Sequence, residues 1–213
     1  MDINKHIEHT LLKSNTSKAD IEQLCREAIE FGFAAVCVPP FYVRTASVIL
    51  KEHPIKVVTV IGYPMGYHAI PVKVEEIKRA IDEGVDELDI VVNVAAIKDA
   101  NWSHVKNDID SVTTAAHLKS KKARIIVEVE LLSKPELNKL CEICQDVQVD
   151  GIKNTTDQTG ATITAETLQL LQNYGGKIPI IAAGALHNPT FALELLEAGV
   201  ERIGTTNALQ LIK

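Results

Sequence analysis

The chain has 213 residues, room for one α/β domain rather than two, and its 46% hydrophobic and 23% charged residues are those of a globular protein with a real core. A formal charge of −6, no basic run longer than Lys119-Ser120-Lys121-Lys122 and only 4% aromatic residues leave neither the positive footprint nor the stacking surface that nucleic acid requires. The polar start MDINKHIEHT is no signal peptide and no apolar stretch nears the roughly 18 residues of a membrane helix, so no membrane partner and a cytoplasmic location are expected.

In chain order, short β-branched runs alternate with longer stretches of helical spacing, without a linker or a break in composition. Parallel strands with crossover helices produce that pattern. A weak first strand at 7–10 is followed by a helix over 17–31, in which Ile21, Leu24, Cys25 and Ala28 share a face and Gly32 gives the stop. Strands follow at 34–38, 57–61 and 87–92, with helices at 41–51, 71–83 and 102–118. Further strands at 123–129, 151–153, 179–182 and 201–204 precede helices near 134–146, 164–174, 189–198 and 206–212. These runs are too uniformly apolar for alternation, as in parallel strands buried on both faces. Eight strand–helix units of about 27 residues predict a single-domain (β/α)8 TIM barrel over 1–213, with an open doubly wound sheet as the competing architecture. The barrel is favoured because the first strand lacks a Gly-x-Gly-x-x-Gly, while glycine signals come late, at Gly184 and Gly204.

In such barrels chemistry sits where strands end, so the polar residues closing each run are the candidates. They are Glu8, His9, Thr10, Cys37, Tyr63, Asp89, Asn93, Glu128, Glu130, Lys153 to Thr156, and Thr205 to Asn207. Lys153, after the buried run Val149-Asp150-Gly151-Ile152, is expected to point into the barrel mouth, where desolvation would lower its proton affinity and free the amine to attack a carbonyl. Asp89, set among apolar neighbours, needs a partner, and a lysine across the barrel would be one. Glu128 and Glu130 share a face if their strand runs that far, which leaves a metal-dependent lyase as a weaker alternative, since no histidine joins them at ligand spacing. Cys141 and Cys144 form a Cys-x-x-Cys inside a helix with no second pair, which suits core packing better than zinc or redox chemistry, and the four cysteines fit a reducing compartment.

The chain resembles the deoxyribose-phosphate aldolases, Schiff-base enzymes on an eight-stranded barrel. The resemblance runs nearly end to end and is carried by Ile7-Glu8-His9-Thr10-Leu11-Leu12-Lys13, Phe33-Ala34-Ala35-Val36-Cys37-Val38, Val60-Ile61-Gly62-Tyr63-Pro64-Met65-Gly66, Asp86-Glu87-Leu88-Asp89 and Arg202-Ile203-Gly204-Thr205. It implies reversible cleavage of 2-deoxyribose 5-phosphate to glyceraldehyde 3-phosphate and acetaldehyde, with no cofactor and no metal. The partner is then a small sugar phosphate or aldehyde, and the chain itself a possible homodimer. By the same resemblance Lys153 matches the imine-forming lysine, Asp89 the proton-shuttling aspartate and Cys37 a cysteine beside the substrate, while Glu8 stands where the family usually has aspartate. Glu128, Thr155, Thr156, Gly184, Gly204, Thr205 and Thr206 are the remaining candidates for substrate binding, the last four as an anion site at a helix N-terminus.

Two departures stand out. The family's second lysine, on the seventh strand, is replaced by Ile181 in the run Ile181-Ala182-Ala183-Gly184-Ala185, so desolvation alone would have to make an amine of Lys153. Asp157 follows Lys153-Asn154-Thr155-Thr156 where the family has glycine, and Ala185 replaces one of two paired glycines, so a carboxylate is expected close to the phosphate position. An unphosphorylated aldehyde, or a barrel that binds sugar without catalysis, are the readings these departures keep open.

Overall fold

The computed structural model describes residues 2–157, 160 and 162–212. Eight parallel strands pair in chain order and close through β1–β8 into a barrel: β1 (Ile7–Thr10), β2 (Ala35–Val38), β3 (Lys56–Ile61), β4 (Glu87–Val91), β5 (Lys122–Ile126), β6 (Gly151–Lys153), β7 (Ile180–Ala183) and β8 (Arg202–Thr205). The expected (β/α)8 barrel is the observed architecture, and among the described residues no helix is long and apolar enough to cross a membrane.

The helices cover the outside: α1 (Lys18–Phe31), α2 (Val43–Leu50), α3 (Ile70–Asp82), α4 (Val94–Lys98), α5 (Trp102–His117), α6 (Lys134–Val147), α7 (Ala165–Gly175), α8 (Pro189–Glu197) and α9 (Ala208–Leu211). Their ends follow from local chemistry. Ser17 and Ser133 close capping boxes with Asp20 and Glu136, and Gly32 stops α1 at φ 66°, a left-handed conformation that glycine adopts without steric cost. Asn93, expected as a strand-end site residue, instead caps α4 by accepting from the Ala96 N–H at 3.2 Å, and α4 itself was hidden between two longer elements. The last helix is four residues long, shorter than the 206–212 expected.

The main core lies between the strands' outer faces and the helices, where Val36, Leu88, Ile90, Ile125, Ile152 and Ile203 meet Ile21, Leu24, Ile77, Ile109, Leu140 and Leu195. Cys25, Cys141 and Cys144 are buried there as small apolar residues. The lumen is divided differently. On the β2–β3 side it is filled by Ala35, Cys37, Val58 and Val60. On β6 and β8 the inward positions pair a long charged side chain with glycine, Gly151 with Lys153 and Arg202 with Gly204, and the glycines make room for the long side chains. A Cβ on Gly151 would lie 2.7 Å from Ile181 Cδ1, and one on Gly204 only 3.3 Å from Lys153 Nζ.

Strand β5 is where the expectation fails most. It ends at Ile126 rather than 129, because Glu128 turns into the left-handed region at φ 48° and starts a short 3-10 helix. Glu128 and Glu130 therefore do not share a strand face: Glu128 is buried and Glu130 is exposed to solvent.

Candidate active site

At the centre of the lumen six charged side chains from five strands meet, all buried: Glu8 (β1), Glu87 and Asp89 (β4), Arg124 (β5), Lys153 (β6) and Arg202 (β8). Three carboxylates face three cations, so the cluster is neutral overall when every member is charged. Arg124 binds all three acids, with Nε on Asp89 at 2.6 Å, one Nη on Glu8 at 2.7 Å and the other on Glu87 at 2.9 Å. Arg202 closes the lower edge through Glu87 and, at 3.4 Å, Glu8. Lys153 Nζ takes the upper edge, donating to Asp89 Oδ2 at 2.7 Å and Glu8 Oε1 at 2.8 Å. A charge kept out of water needs this degree of pairing, and here each ion has at least two opposite partners within hydrogen-bond reach.

The pairing reverses the expectation for the lysine. Burial does push its proton affinity down, but the facing charges of Asp89 and Glu8 outweigh it and hold the ammonium well above the ordinary lysine range. The free amine does not arise from desolvation; it needs a proton acceptor, and Asp89 and Glu8 are both in hydrogen-bond contact. Nor does the cluster lack cationic companions, since Arg124 and Arg202 occupy it although Ile181 holds the seventh-strand position. Burial would raise the pKa of Glu8, yet Arg124, Lys153 and Arg202 together hold it well below the usual carboxylate range.

Above this cluster opens a pocket lined by Thr10, Leu12, Val60, Tyr63, Ile126 and Lys153 on its lower walls. The loops after β6, β7 and β8 complete it with Thr155, Thr156, Asp157, Ala183, Gly184, Gly204, Thr205 and Thr206. Among the described lining residues Lys153 is the one cation, and it sits where the polar cluster meets the cavity. Tyr63 reaches across the mouth and donates its hydroxyl to the Thr156 carbonyl at 3.1 Å.

The expected site residues separate into three groups. Lys153, Thr155, Thr156, Gly184, Gly204, Thr205 and Thr206 do line the pocket. Glu8, Asp89 and Cys37 lie beneath its floor, with one ligand atom of each within 4.8 Å of the others, and burial pushes the Cys37 thiol far up, so it is neutral and unreactive there. The carboxylate oxygens of that trio are already bonded by Lys153 and Arg124. Glu128 does not line the pocket; it braces the β6 loop from behind, accepting from the Thr156 N–H and from Thr155 Oγ1 at 3.3 Å. Thr205 spends its hydroxyl on the Leu186 carbonyl at 2.8 Å. His9 points outward to Glu27 at 2.8 Å.

Arg124, Arg202 and Glu87 were not among the expected residues. The signal was partial: Arg124 is a charge between Ala123 and Ile125, the mark that singled out Asp89, whereas Glu87 and Arg202 open their strands beside the charged Asp86 and Glu201.

Comparison with known proteins agrees with this geometry. The sequence model of the DeoC/LacD family aldolases matches residues 4–190. A deoxyribose-phosphate aldolase of Thermococcus kodakarensis is 40% identical over all of this chain and 96% of its own length, and one of Thermococcus gammatolerans is 39% identical with the same coverage. The solved structure of QR15, an aldolase, superposes with a TM-score of 0.93 at 33% identity, covering 99% of this chain and 94% of that one. A charged lumen carrying one cavity-facing lysine is thus found on a chain that belongs to the DeoC/LacD family of aldolases.

Proposed function

We propose that the protein is a class I aldolase that reversibly cleaves 2-deoxy-D-ribose 5-phosphate, with Lys153 as the imine-forming residue and Asp89 as its proton partner. The observation that carries this reading is the position of Lys153 Nζ, at the pocket floor and 2.7 Å from Asp89 Oδ2, while the two arginines stay below.

The ammonium of Lys153 passes a proton to Asp89, and the freed amine attacks the aldehyde carbon. Loss of water from the carbinolamine gives an iminium, whose positive charge takes the place of the ammonium between Asp89 and Glu8. That substitution keeps the cluster neutral, which is why the two carboxylates assist rather than merely trap the lysine. Asp89, which has given its proton to the departing water and is a carboxylate again, accepts the proton of the C3 hydroxyl as the C2–C3 bond breaks. The bond electrons pass into the iminium to form an enamine, and the same proton is then delivered to C2. Glyceraldehyde 3-phosphate leaves, and water releases acetaldehyde and the lysine. Glu8, tied to both arginines, remains the fixed counter-ion through the cycle.

Incubation with acetaldehyde and borohydride, followed by peptide mass analysis, tests the assignment. A stable two-carbon adduct on Lys153 is expected; an unmodified Lys153 in a folded, intact chain overturns it.

A further inference from the structure

We propose that Asp157 is a specificity-determining residue of this pocket, one that lowers its affinity for a phosphorylated distal end and admits 2-deoxy sugars whose distal end is uncharged. The inference rests on the aldolase reading for the orientation of substrate, with the aldehyde at Lys153 and the far end toward the rim.

One side of the rim carries a carboxylate that repels a dianion. Asp157 lines the pocket from the β6 loop, half-buried, with a backbone φ of 68°. Its own N–H is turned to Thr155 Oγ1 at 3.0 Å, and Thr155 Oγ1 and the Thr156 N–H are in turn held by the buried Glu128 carboxylate, so these three donors already serve protein acceptors. Burial and the neighbouring charge of Glu128 push the Asp157 carboxyl upward, the sign that negative charge is already disfavoured at this place before any ligand arrives. Among the described lining residues Lys153 is the one cation, and it is engaged by Asp89 and Glu8; from residue 154 to 176 the sequence has no lysine or arginine. On the opposite rim the Thr205 hydroxyl is bonded to the Leu186 carbonyl, and α9 is a single turn. A sugar hydroxyl suits such a rim, because it can donate to Asp157; a phosphate dianion, which has no proton to give, cannot.

The experiment compares kcat/KM for 2-deoxyribose 5-phosphate and for 2-deoxyribose in the wild type, in Asp157→Asn and in Asp157→Gly, and measures the binding of inorganic phosphate to each by calorimetry. Removing one like charge near a protein surface is expected to raise the phosphorylated-to-unphosphorylated ratio about tenfold and to tighten phosphate binding by a similar factor. The glycine variant guards against a folding artefact, since a φ of 68° is unstrained for glycine. A ratio and a phosphate affinity that stay at wild-type values, or fall, in both variants overturn the proposal. Failure of the aldolase reading shows separately, as absence of acetaldehyde trapping at Lys153 in the wild type, and phosphate calorimetry still decides the role of Asp157 in that case.

Discussion

At Lys153 the decisive quantity is the competition between burial and two carboxylates, and the carboxylates win. The proton must therefore move inside the cluster rather than out to solvent, and this has a kinetic signature. If Asp89 receives it, the total proton count of the site does not change, and the rate of borohydride trapping with acetaldehyde is expected to stay level between about pH 6 and 9. An amine that lost its proton to water would instead gain about tenfold per pH unit across that range while pH stays below the pKa. Replacing Asp89→Asn removes the acceptor without changing shape, and the trapping rate is expected to fall by about 10² to 10⁴, the usual worth of a positioned acid–base group. A fall of less than tenfold would move the acceptor role to Glu8. The direction of this pKa was not legible in the sequence. Lys153 and Asp89 are readable as polar residues at strand ends, but Glu8 lies 145 residues from the lysine it touches, and only closure of the barrel brings them together.

At the scale of elements, each strand contributes one or two inward positions, and their sizes are matched around the ring. Ile181 is the informative one. In register it lies between Lys153 on β6 and Arg202 on β8, with Cδ1 directed at the space Gly151 leaves open. A lysine there would add a fourth cation to three carboxylates. Ile181→Lys is expected to lower the proton affinity of Lys153 and to increase deoxyribose 5-phosphate cleavage near neutral pH, at a cost of about 3 kcal/mol in stability for an uncompensated buried charge. Steady-state kinetics and denaturant melts check both halves, and unchanged turnover with an intact fold would mean the amine is not limiting. Most elements were readable locally: β6 from Gly151-Ile152-Lys153, α1 from Ser17 and Gly32. The end of β5 was not, because Glu128 enters the left-handed region without the glycine or asparagine that usually marks it. The run Ile125-Ile126-Val127-Glu128-Val129 reads as continuous strand until the β6 loop, which supplies the donors for Glu128, is in view. The buried arginines escaped for a different reason, since Arg124 stands two and Arg202 three residues below the strand ends where a search for chemistry concentrates.

For the whole molecule the charged lumen sets how stability responds to pH. Glu8 has a folded pKa depressed below its unfolded value, so its contribution is complete above the unfolded carboxylate range and is lost as pH falls through the folded pKa. Lys153 is shifted upward, so its contribution is complete below the unfolded lysine range and is lost as pH rises through the folded pKa. The two together predict a melting temperature level from about pH 5 to 10 as far as this cluster is concerned, falling beyond either edge. Thermal melts across that range check it. A Glu8→Gln variant would lose the acid-side decline that Glu8 causes, and an unchanged acid limb would show that other carboxylates govern it.

The lock at the barrel's centre also ties together segments that are far apart along the chain. Its members come from positions 8, 87, 89, 124, 153 and 202, so only a stretch that runs from Glu8 to Arg202 contains the complete set. A truncated or half-assembled barrel would leave guanidinium or carboxylate groups stranded in an apolar interior. Partial structures are thereby penalised, and the electrostatics that serve the lysine also make folding an all-or-nothing event in which the first and last strands must arrive together.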